Sequence, residues 1–94
     1  MKDIRVSFVI PVYNAEQYIS DCVKSIAKQD NGSIEIILVD DGSTDNSYEI
    51  CCEVAEHFPG LITVVHQENQ GSFPARLKGV SHSRGDYVFF ADAD

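Results

Sequence analysis

Two short acidic runs stand out as groups able to do chemistry, Asp40-Asp41-Gly42-Ser43-Thr44-Asp45 and Asp92-Ala93-Asp94. Carboxylates brought together repel one another. Each close pair is costly at low dielectric unless protonation, a basic neighbour or a bound cation offsets it. Arg76 and Lys78 are the bases best placed to help. A hard divalent cation held by oxygen ligands, together with a phosphate, would resolve the conflict. Plainer readings stand beside this one. Asp-Asp-Gly-Ser is a common turn and helix cap, and Asp92-Ala93-Asp94 could be solvated acids. Tyr13 could stack on a ring or simply pack at a rim.

The elements that must position these residues decide between the readings. The chain has 94 residues, 44% hydrophobic and 23% charged, the balance of one globular domain spanning 1–94. Four short apolar runs, at 4–12, 34–39, 61–65 and 87–91, are rich in β-branched and aromatic residues, as strands buried on both faces should be. Helical spacing separates them. Tyr18, Cys22, Val23 and Ile26 follow Asn14, an expected N-cap. Cys51, Val54, Ala55 and Phe58 follow Ser43 and Thr44 and stop at Pro59-Gly60. A weaker helix covers about 73–83. The order β-α-β-α-β-α-β predicts a three-layer, Rossmann-like α/β/α fold with a mostly parallel sheet. In such sheets ligands bind beyond the carboxyl ends of the strands, and both acidic runs and Tyr13 fall there.

Composition narrows the partners. Fifteen acids against seven bases leave a net charge of −8, which argues against nucleic acid. No apolar stretch approaches the roughly 18 residues of a membrane span, and three cysteines without metal-type spacing fit reduced thiols, so a cytoplasmic setting is expected. Cys22 and Cys51 read as core residues, and His57, His66 and His82 as ordinary surface or rim histidines. An unpaired sheet edge would favour self-association.

In order along the chain, Ser7-Phe8-Val9-Ile10-Pro11-Val12-Tyr13-Asn14, then Ile34-Glu35-Ile36-Ile37-Leu38-Val39-Asp40-Asp41-Gly42-Ser43-Thr44-Asp45, then Asn69-Gln70-Gly71 with Ala75-Arg76, then Gly85-Asp86-Tyr87 leading into Asp92-Ala93-Asp94, resemble the N-terminal, nucleotide-binding half of a family 2 glycosyltransferase. The resemblance implies a GT-A fold and places Pro11, Tyr13, Asn14, Asp41, Gly42, Arg76 and Asp92 against a nucleotide sugar, a UDP-sugar first. Tyr13 would stack on the base. Asp41 would accept from the ring N–H, as an ionised carboxylate can, leaving Asp40 structural. Arg76 would face the diphosphate. Asp94 would ligate Mn²⁺ or Mg²⁺, with Asp92 second in the pair or reaching the sugar. The implied reaction is an inverting, single displacement onto an acceptor hydroxyl.

Two departures qualify this. Leu77 stands where the family often has Asn, and the catalytic base and the half that binds a sugar or lipid-linked acceptor lie beyond these residues. The chain alone is therefore expected to bind a donor without transferring it, and a non-catalytic nucleotide-binding or interaction module is the alternative. A haloacid-dehalogenase phosphatase would carry Asp-x-Asp after its first strand, not its fourth. A receiver domain would want an Asp where His66-Gln67 ends the third strand. Neither G-x-G-x-x-G nor G-x-x-x-x-G-K-[ST] occurs.

Overall fold

A computed structural model describes residues 3–93. Strands β1 (Val6–Val12), β2 (Ile34–Asp41), β3 (Ile62–Gln67) and β4 (Tyr87–Phe90) alternate with helices α1 (Ile19–Ala27), α2 (Ser47–His57) and α3 (Ser72–His82). The expected order holds. The strands form one sheet in the order β3-β2-β1-β4, and every neighbouring pair is parallel.

Successive side chains of a strand point to opposite faces, and this alternation divides the core in two. On one face Ile10, Val12, Ile36 and Leu38 meet Ile19, Val23 and Ile26 of α1 and Cys51 and Val54 of α2. On the other, Val9, Ile37 and Val39 meet Ala75 of α3. Flanked by two strands and covered on both faces, β2 is buried at every position, which is why its sequence runs apolar almost without alternation. The second layer is thin. Helix α3 buries Ala75 and Gly79 and turns Phe73, Leu77 and Val80 outward. Gly79 lets the helix lie directly on β1, because a Cβ there would run into the Val9 side chain.

The structure corrects several expected boundaries. Strand β2 continues through Asp41, so the two adjacent acids are its last residues rather than a loop beyond it. Helix α1 starts at Ile19, after a turn in which the Tyr18 N–H donates to the Ala15 carbonyl. Asn14 is therefore no helix cap. It takes a left-handed φ of 47°, a conformation Asn tolerates better than most residues, and its side chain braces the neighbouring loop. Helix α2 likewise begins at Ser47, three residues past Thr44, where Asp45 Oδ1 accepts the Ser47 N–H at 2.9 Å. Strands β3 and β4 are the sheet edges, and β4 exposes Tyr87, Phe89 and Phe90. Among the described residues no helix is long and apolar enough to cross a membrane.

Candidate functional site

The carboxyl ends of β1 and β2, the start of α3 and the segment after β4 enclose a cleft of about 290 Å³. Pro11, Tyr13, Asp41, Gly71, Ser72 and Asp92 are among its lining residues. Tyr13 is half exposed at the rim, an aromatic face free to stack. What holds it there is a set of bonds between the loops after β1 and β2. The Asn14 N–H donates to Ser43 Oγ (3.0 Å), and Asn14 Oδ1 accepts the Thr44 N–H (2.8 Å) and hydroxyl (3.3 Å). The Ala15 N–H donates to the buried Ser47 hydroxyl at 2.9 Å. Asp45 accepts from the Glu16 N–H on its second oxygen at 3.4 Å. Slight burial would raise the Asp45 carboxyl, but the donations from Ser47 and Glu16 hold it below its usual value. Asn14 thus positions the site without lining it. Gly42 does the same. Its φ is 70°, and a Cβ would stand 2.6 Å from the Asn69 backbone nitrogen.

Asp40 and Asp41 do not converge as the sequence suggested. Strand periodicity sends Asp40 and Asp41 to opposite faces. Asp40 is wholly buried on the α2 face, where Oδ2 pairs with His66 Nδ1 at 2.8 Å and Oδ1 has no hydrogen-bond partner. His66, read as an ordinary rim histidine, is the counterpart of a buried carboxylate. Asp41 lies on the α3 face at 3% exposure, and donors surround it. Oδ1 accepts Gln67 Nε2 (2.9 Å) and the Gln70 N–H (2.8 Å). Oδ2 accepts the Gly71 N–H (2.9 Å) and, more weakly, Asn69 Nδ2 (3.4 Å). Asp40 and Asp41 point to opposite faces and are held by separate partners, so their adjacency in sequence gives no argument for a cation.

Asp92 is different. Its side chain is 73% exposed, and Arg76 Nη2 stands 3.7 Å from Oδ1. The guanidinium carbon also lies 5.8 Å from the centre of the Phe90 ring. Behind Asp92, its carbonyl accepts from the Cys22 thiol at 3.6 Å. Burial, and next the Asp92 charge, push that thiol above its ordinary value. Asp94, the expected metal ligand, lies outside the described residues. Among the described residues no three His, Cys, Asp or Glu side chains cluster to hold a metal. A cation that keeps several waters and takes one or two carboxylates plus substrate phosphates needs no such cluster. An exposed Asp92 at the rim fits that kind of site.

Three parallel crossovers with a cleft at the strands' carboxyl ends define an open α/β sheet of the kind that binds ligands there, and comparison with known proteins narrows it. Glycosyl transferase family 2 matches residues 7–94, and the chain belongs to that family. It is 46% identical over 90 residues to glycosyltransferase GlyG of Streptococcus pneumoniae serotype 4, covering 95% of this chain and 30% of that protein. Its structural neighbours are GT-A glycosyltransferases. The mannosyltransferase PcManGT of Pyrobaculum calidifontis, in complex with GDP-Man and Mn²⁺, superposes with a TM-score of 0.90 at 30% identity, over 100% of this chain and 30% of that one. S. aureus TarS 1-349 in complex with UDP gives 0.85 at 32%, over 97% and 28%. The chain thus spans less than a third of the length of these relatives.

Sequence reading had Asn69 and Gly71 only within a family block, without a role for either, and did not single out Ser72 as a cleft wall or Glu35 as a buried acid. A lone Glu inside the apolar run 34–39 was the available signal for the last, since a buried carboxylate demands partners.

Proposed function

We propose that residues 1–94 are the donor-binding part of an inverting, metal-dependent glycosyltransferase. It takes a nucleotide sugar, a UDP-sugar first, and passes the sugar to an acceptor hydroxyl bound by chain beyond these residues. The observation that carries this reading is that Tyr13, Asp41 and Asp92 line one cleft in a chain whose relatives are glycosyltransferases. PcManGT in complex with GDP-Man and Mn²⁺ supports the donor class and the ion.

In this reading Tyr13 stacks on the base and Pro11 shapes the strand end beside it. Asp41 can meet the ring N–H through the oxygen whose Asn69 contact is longest. Arg76 leaves Asp92 to bind the diphosphate, where its planar fork suits oxyanions. Asp92 and Asp94 would hold Mn²⁺ or Mg²⁺, which when bound supplies Lewis-acid stabilisation of the departing diphosphate. The isolated residues bind donor without turnover, because the base that deprotonates the acceptor belongs to the remaining part. The setting is the cytoplasm, at the membrane face where lipid-linked acceptors lie, and the bare β4 edge promotes self-association.

Titration calorimetry with UDP and with GDP, each with and without Mn²⁺, tests this. Weak binding that needs Mn²⁺, is lost in Asp94→Ala and is weakened in Tyr13→Ala is expected. Metal-independent binding, or none of either nucleotide, would sink the proposal.

A further inference from the structure

Glu35 sits near the start of β2 at 2% exposure, where an ionised carboxylate survives only if fully paired. Its Oε2 accepts the Ser7 hydroxyl and the Arg84 backbone N–H, both at 2.6 Å, and Oε1 accepts Arg84 Nε at 3.1 Å. Ser7 Oγ in turn accepts the Gly85 N–H at 2.9 Å. Only glycine fits at 85, because a Cβ would stand 2.7 Å from Ser7 Oγ and 2.8 Å from its backbone nitrogen. A carboxylate in β2 therefore grips the turn between α3 and β4.

Asp41, six positions further along the same strand face, grips the turn between β3 and α3 through the Gln70 and Gly71 N–H groups. Between these two grips α3 has little else, since Ala75 and Gly79 are its buried residues. Yet α3 carries Ser72 in the cleft wall and Arg76 opposite Asp92. The turn that Glu35 holds also launches β4, the edge strand that leads to Asp92.

We propose that Glu35 is a positioning residue for the cleft. With Asp41 it clamps α3 at both ends and so sets the spacing between Ser72 and Arg76 on the helix and Asp92 on the facing rim. The ligand consequence rests on the nucleotide-sugar reading; the clamp itself does not.

The test compares the full chain with Glu35→Gln by residue-resolved amide hydrogen exchange and by titration with UDP and Mn²⁺. Exchange at least about tenfold faster in α3 and β4 is expected, with Ile36–Val39 unchanged and UDP affinity down by about tenfold. Acceleration spread evenly over the sheet, or parental UDP affinity in a folded variant, would overturn the proposal. If the parent chain binds neither UDP nor GDP, the nucleotide reading fails and the exchange map alone decides whether Glu35 clamps α3; if it binds GDP alone, GDP takes the place of UDP in the titration. Should Glu35→Gln not fold, Arg84→Met removes the more exposed half of the clamp. It must then loosen the same two elements, and unchanged exchange there would refute the clamp.

Discussion

Replacing Asp41 by Asn probes whether its carboxylate is chiefly a clamp or a recognition group. The side chain keeps its size and loses its charge. Gln67 and Asn69 can flip their amides to suit the new group, but the backbone N–H groups of Gln70 and Gly71 cannot. They point at different oxygens, so in either orientation one of them faces an NH₂. Orphaning a buried donor costs about 1–3 kcal/mol, and the surviving bonds lose the extra strength of a charged acceptor, which together come to about 3 kcal/mol. A chain of this size has about 5–14 kcal/mol in all. Urea denaturation followed by circular dichroism should therefore show an unchanged slope and a midpoint lower by about 2–3 M, at a slope near 1 kcal/mol per molar. A loss below about 0.5 kcal/mol would refute the donor cage. If UDP binding then also vanished, Asp41 would act on the ligand directly.

Other outcomes follow from the same geometry. Gly42→Ala forces a Cβ towards the Asn69 backbone at positive φ and should cost about 1–3 kcal/mol in the same denaturation assay. Burial would raise the Glu35 carboxyl, but the donations from Ser7 and Arg84 and the Arg84 charge hold it below its ordinary 4.5. Its stabilisation is thus complete above pH 4.5 and fades as pH falls through the lower folded value. Thermal melts should show this acid limb, and Glu35→Gln should flatten it. Burial, and next the Asp40 charge, push the Cys51 thiol up to about 12; mass spectrometry after brief iodoacetamide treatment at pH 8 should find it unmodified in the folded protein and modified in urea. Phe89→Lys on the bare edge should shift sedimentation at high concentration towards monomer if β4 drives association.

Much of the architecture was legible because burial leaves a period in the sequence. The apolar runs at 34–39 and 61–65 mark strands, and the spacing of Val23, Ile26, Cys51 and Val54 marks helix faces that do meet one core. Less legible was where individual polar side chains point. The same alternation that marked β2 as a strand assigns Asp40 and Asp41 to opposite faces once the strand reaches them. The apolar run stops at Val39, two residues short of the strand's end, and so leaves both acids looking like one cluster. Asn14 illustrates another limit. A side-chain amide serves equally well as a helix cap or as a brace to a loop thirty residues on, and local sequence carries no sign of which. The partners of Glu35 were out of reach for that reason too: Ser7 and Arg84 lie 28 and 49 positions away, and only the folded register brings them together.

The two grips on α3 turn β2 into a ruler. From Glu35 to Asp41 the strand advances about 20 Å, and the eleven-residue helix it spans measures about 16 Å, leaving a short turn at each end. A residue added within α3 would turn the helix beyond it by about 100°, carrying its small buried face off the sheet, and one terminus would slip its fastening. Length variation among relatives should instead collect at the turns around Gly32 and Gly60, where an added Cβ would meet nothing within 4 Å.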